Sequence, residues 1–178
     1  MALVLQVLVL PTKSRTLLRP KPENQRKTPA SRFGTQISLH LLLQLTLGRC
    51  VDKPGLLLKS KEKELTPAQV GYARDDKDWE GKEHNDLLSV VKEVKPHVLV
   101  GTSTVAGAFS QEIVEEMAKH VERPVIFPLS NPTRLHEAKP QDLFDWTKGK
   151  SLVATGSPFP PVKFDGKEHE ICESMPCL

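Results

Sequence analysis

The fold is decided by three stretches of sequence: VLVGTSTVAGAF at 98–109, RPVIFPLSNPT at 123–133 and SLVATGSPFPPV at 151–162. Each opens with a short apolar run of strand length and then breaks into small or polar residues. Between the first two, Ser110 stands as an N-cap before Ile113, Val114 and Met117, which share one helical face. Between the last two, Pro140 to Trp146 reads as a short helix with Gln141 and Asp142 in its first turn. Strand, helix, strand, helix, strand at this spacing is the pattern of a parallel sheet with crossover helices. Ligands of open parallel sheets sit at the carboxyl ends of the strands. Gly101 to Ser103, Ser130 with Asn131, and Gly156 with Ser157 are therefore expected to line one crevice. Small residues also follow strands simply because chains must turn, so the inference rests on three such loops in succession.

Upstream, Asn85 to Val94 has apolar residues at helical spacing, and Lys95-Pro96 ends it. Lys59 to Gly81 is charged and carries Pro67 and two glycines, and it is read as a surface loop. Val51-Asp52 is the end of a strand, followed by the turn Lys53-Pro54-Gly55 and the apolar residues Leu56 to Leu58.

The 178 residues suffice for one domain, and no apolar run reaches the roughly 18 residues of a membrane helix. Three cysteines, Cys50, Cys172 and Cys177, make no disulfide framework and lack the paired spacing of a zinc site. Charge is lopsided. Eight of the 25 basic residues but only one of the 22 acids, Glu23, fall in residues 1–50. Such asymmetry marks a segment of different origin or role.

The loops are more specific in wording than in composition. VDKPGLL at 51–57, VGTSTVAGAF at 100–109, RPVIFPLSNPT at 123–133 and ATGSPFPPV at 154–162 resemble, in order and spacing, the later part of the nucleotide-binding domain of malic enzymes. The resemblance covers residues 51–171, and 172–178 depart from it. It implies an α/β fold, a partial Rossmann-like NAD(P)-binding domain with a mostly parallel sheet. It also implies oxidative decarboxylation of malate to pyruvate and CO2 with NAD or NADP, a divalent metal (Mg or Mn), and a homo-oligomeric family.

Carried over residue by residue, Asp52 matches the acid that accepts the adenosine ribose hydroxyls. Lys53 sits where the family tunes NAD against NADP. Gly101, Thr102 and Ser103 match the loop under the nicotinamide, with glycine allowing close backbone approach. Ser130 and Asn131 match the loop whose asparagine contacts malate and the nicotinamide region, a task suited to an amide that both donates and accepts. Gly156 and Ser157 match the last loop of the cofactor crevice.

No catalytic residue and no metal ligand is assigned. The family's acidic ligands, and its tyrosine and lysine for proton transfer, lie upstream of the matched region. Tyr72 matches neither role, and His84, His97, His136 and His169 read as scattered surface or loop residues. No GxGxxG is present to cradle a pyrophosphate. The chain is accordingly expected to carry part of a crevice and to be inactive alone. The alternative is a non-catalytic NAD(P)-binding or subunit-interaction remnant.

Residues 1–50 are non-homologous. Their basic, acid-poor composition fits a mitochondrial transit peptide, which leaves cytoplasm and mitochondrion both open. A basic arm for nucleic acid lacks aromatic interleaving, so neither nucleic acid nor membrane is an expected partner. The genetic code offers a third reading. Shifted back by one base, codons for Met1 to Val9 permit G-A-G-S-A-G-T-G-I, a glycine-rich dinucleotide fingerprint. Residues 1–34 are then an out-of-frame translation of a phosphate loop and its helix, 35–50 are read-through, and the segment is expected to be disordered or poorly packed. The tail ICESMPCL is a similar product. The DNA sequence decides this.

Overall fold

The computed structural model describes the backbone of the strand Val7–Pro11 and the whole of residues 48–173. Strands β1 (Val7–Pro11), β2 (Arg49–Asp52), β3 (Gly55–Leu56), β4 (Pro96–Gly101), β5 (Val125–Pro128), β6 (Leu152–Thr155) and a late strand (Cys172–Glu173) form one sheet. With the hairpin β7 (Val162–Phe164) and β8 (Lys167–His169) between them, that late strand is β9, and the sheet order is β3-β2-β1-β4-β5-β6-β9. Helices α1 (Pro67–Val70), α2 (Leu87–Val94), α3 (Gln111–His120) and α4 (Pro140–Thr147) complete the elements.

The half of the sheet from β4 to β9 is parallel, as the crossover pattern requires. Ile126 pairs with Leu99, and both are fully buried beneath Val114, Met117 and Leu143 of α3 and α4. α2 packs beside α3 and adds Val90 and Val91 to the same core. Its start is set by Asp86, whose carboxylate accepts from Ser89 N at 2.7 Å. Its end is Lys95 in the left-handed conformation, followed by Pro96.

The other half departs from expectation. β1 is antiparallel to both neighbours, so the pairs β1–β2, β1–β4 and β2–β3 make this half antiparallel. The α/β class holds, and the sheet is parallel only on the α3–α4 side. β1 comes from the segment expected to be disordered or poorly packed. Its residues 7–11 are instead a central strand, whereas residues 1–6 and 12–47, to which the same reading applied, lie outside the described residues. A sheet of this kind needs a strand between β2 and β4, since otherwise two rows of backbone groups stay unpaired. An apolar run meets that need in either direction. β9 likewise brings Cys172 and Glu173 of the supposed aberrant tail into pairing with Ala154 and Thr155, and residues 174–178 lie outside the described residues.

Lys59 to Gly81 is more structured than a loop. It holds the 3-10 turns Lys59–Glu64 and Asp76–Trp79 with α1 between them, and it buries Trp79 in the core. Gln69 is buried too, with its Oε1 accepting from Thr66 N at 2.8 Å and Thr66 Oγ1 at 3.0 Å.

Candidate functional site at the carboxyl edge of the sheet

β2 and β4 run in the same direction on either side of β1, because β1 is antiparallel to each. Val7 stands opposite both Val51 and Gly101. Asp52 and the β4 loop therefore share one edge, separated by about two inter-strand spacings, roughly 10 Å. The loops after β5 and β6 continue that edge. All eight expected residues end up along it, in two groups.

At one end is Asp52, which is 7% exposed. Its Oδ1 accepts from Lys53 N at 2.6 Å, and its Oδ2 accepts from Gln69 Nε2. Each carboxylate oxygen keeps a further lone pair for a ligand hydroxyl. Gln69 was not foreseen. The order Thr66-Pro67-Ala68-Gln69 was its signal, a capping-box spacing with proline at the first helical position.

At the other end the three loops are bound to each other. Leu129 N donates to Gly101 O at 2.8 Å. Ser157 Oγ donates to Asn131 Oδ1, and the Asn131–Pro132 peptide bond is cis. A Cβ on Gly156 would lie 2.3 Å from Leu129 O and 3.1 Å from Asn131 Nδ2. Thr102 and Asn131 are exposed, and Gly156 and Ser157 are half-buried.

Ser103 and Ser130 face inward rather than toward a ligand. Both are buried around Glu137, which is 0% exposed. Glu137 Oε1 accepts from Ser103 N at 2.7 Å, from Ser103 Oγ at 2.7 Å and from Ser130 Oγ. Ser130 N lies 3.4 Å from Oε2. The hydroxyls in turn accept from Val105 N at 3.1 Å and Thr104 N at 2.8 Å. Gly101 has the same explanation. A Cβ there would meet Glu137 Cδ at 2.6 Å and Phe109 Cζ at 2.7 Å, so the missing side chain makes room for protein. Glu137 gave no sequence signal beyond being an acid shortly before a helix.

His136 lies in a loop, but not on the surface: it is buried edge-on against Phe159, with ring centroids 4.8 Å apart. Neither ring nitrogen has a hydrogen-bond partner of good geometry, although the Pro128 carbonyl is close enough to favour its proton. Burial pushes its pKa down, against the pull of Glu137.

The middle of the edge differs from both ends. Pro11 pairs with Pro96, so the chain leaves β1 at the edge opposite the crevice. A loop following β1 therefore begins on the wrong side to cradle a pyrophosphate between Asp52 and Gly101. Among the described residues no three His, Cys, Asp or Glu side chains stand together as a metal site, so no chemistry here is assigned to a metal. Also among the described residues, no helix is long and apolar enough to cross a membrane.

A family model described as "Malic enzyme, NAD binding domain" matches residues 49–175. The chain belongs to the malic enzyme family. The match begins two residues before the motif-based boundary of 51 and runs past 171, over β9. The mitochondrial NAD-dependent malic enzyme of Saccharomyces cerevisiae is 57% identical over 129 residues, 71% of this chain and 19% of that protein. NAD-dependent malic enzyme 3 of Bacillus subtilis is 50% identical over 135 residues, 72% and 24% of the two chains. The malolactic enzyme of Lactiplantibacillus plantarum is 49% identical over 122 residues, 68% and 22%. The chain thus spans about a fifth to a quarter of the length of these malic enzyme relatives.

Proposed function

We propose that this chain carries the two ends of a dinucleotide crevice without its middle, and that it does not turn over malate by itself. The observation that carries the reading is the reversed β1: Asp52 and the three bound loops share one edge, and the chain leaves β1 at the opposite edge. Asp52 would take the ribose hydroxyls of NAD or NADP. Thr102, Asn131, Gly156 and Ser157 would face the nicotinamide end, with the Asn131 amide also meeting malate. Gly101, Ser103 and Ser130 would hold that end from behind. When bound, the cofactor supplies a hydride acceptor, and this chain's residues orient it. The family's activity, decarboxylation of malate to pyruvate, needs a metal and proton-transfer groups that the described residues do not group together. Relatives of both names, malic and malolactic, match more than two thirds of this chain, which fits a role in holding cofactor rather than choosing the reaction.

The test has two parts. Pure chain given malate, a divalent metal and NAD or NADP is expected to form no reduced cofactor, and measurable turnover overturns the proposal. Equilibrium dialysis is expected to show weak NAD binding that Asp52→Ala and Asn131→Ala each reduce about tenfold, the loss of one or two hydrogen bonds. Binding that neither variant changes would place the ligand elsewhere.

A further inference from the structure

Glu137 is a fully buried acid whose hydrogen bonds come only from dipoles. As a carboxylate it can only accept, and every group around it donates: a backbone N–H at 2.7 Å, two hydroxyls, and a more distant N–H at 3.4 Å. Both hydroxyls have their oxygens occupied by the amides of Thr104 and Val105, which leaves their protons for Glu137. Among the described residues no lysine or arginine forms an ion pair with it. The neighbouring His136 is driven toward its neutral form by burial. Dipoles make a buried charge tolerable, but they do not cancel it. A net negative charge is thus fixed behind the β4 and β5 loops, in surroundings that screen it poorly.

Those are the loops assigned above to the nicotinamide end. The oxidised nicotinamide ring carries a positive charge, and the reduced ring is neutral. We infer that Glu137 is a specificity-determining residue that makes this crevice prefer the oxidised cofactor, acting through its charge and not by contact. A unit charge acting over roughly 10 Å at an effective dielectric near 20 changes an equilibrium constant about tenfold. The inference rests on the cofactor reading given above.

The experiment is titration of the full chain with NAD+, NADH and ADP-ribose at one ionic strength, for the native chain, Glu137→Gln and Glu137→Asp. The native chain is expected to bind NAD+ more tightly than NADH. Glu137→Gln, which keeps an acceptor for Ser103 and Ser130, should shrink that ratio about tenfold and leave ADP-ribose binding unchanged. Glu137→Asp keeps the charge and should keep the ratio. If Glu137→Gln weakens all three ligands equally, the residue is merely structural and the inference fails. A native chain that binds NADH as well as NAD+ defeats it whether or not the variants fold. ADP-ribose binding with no discrimination between the two rings sinks the inference and spares the adenosine end of the cofactor reading, whereas no binding of any ligand sinks both.

Discussion

The two halves of the sheet treat the same edge differently. From β4 to β6 the strands are parallel, and their loops are bound to one another through Glu137, Asn131 and Ser157. From β3 to β1 the strands are antiparallel, and among the described residues Asp52, bound to Gln69, stands at the edge. Hydrophobic pairing fills a strand slot without regard to direction, but a ligand-binding loop depends on direction. On the reading proposed above, the sheet keeps its continuity while its crevice loses the middle. The comparison teaches that fold and function are specified separately here, the first by apolar runs and the second by where each strand ends.

The parallel half breaks most severely at Glu137. Replacing it with Ala leaves Ser103 N and two hydroxyls buried without an acceptor, and the chain should lose about 3 kcal/mol or more in urea denaturation. A loss under about 1 kcal/mol would mean that the loops do not depend on it. Val9→Pro tests the other half. Val9 pairs with both Arg49 and Leu99, so proline there interrupts the centre of the sheet. A cost of about 2 kcal/mol is expected, with faster amide exchange in both β2 and β4. Unchanged exchange in those strands would remove β1 from the slot. Gly101→Ala forces a methyl group against Glu137 and Phe109 and should cost about 1–3 kcal/mol. The same substitution at Gly71, where nothing lies within 4 Å, should cost far less.

Smaller effects sharpen the contrast. His136 has its pKa lowered from 6.5 by burial, so the unfolded chain binds a proton that the folded chain resists. Stability should be full above about pH 6.5 and fall as pH drops below it, by at most about 1.4 kcal/mol per pH unit. His136→Phe should flatten that slope in denaturation midpoints taken from pH 7.5 to 5. On β2, burial raises the Cys50 thiol to about 11, so it is almost wholly protonated at pH 8. Alkylation followed by peptide mass analysis should find exposed Cys172 modified well before Cys50.

The parallel half was legible in the sequence because its signals are local. Val98 to Gly101, the apolar face of α3 and the loop at Ser130-Asn131 each announce themselves within a few residues. Two things were not local. Glu137 acts on Ser103 from 34 positions away, and no period or motif records such a contact. The burial of Ser103 and Ser130 around Glu137 was equally hidden, as was that of His136 against Phe159. The direction of β1 is a third case. An apolar run such as Val7–Pro11 states that it can be a strand, but only a folded sheet fixes which way it runs. Gln69 lay between these cases, since its capping-box spacing was visible while its bond to Asp52 crosses two elements.

The central claim, two ends of a crevice without a cradle between them, is tested most directly by a residue-resolved amide NMR titration with NAD. The expected result is shifts at Asp52, Lys53, Thr102, Asn131, Gly156 and Ser157, with none in the residues just after Pro11. Shifts centred on the residues after Pro11 would show a phosphate cradle on β1 and contradict the account.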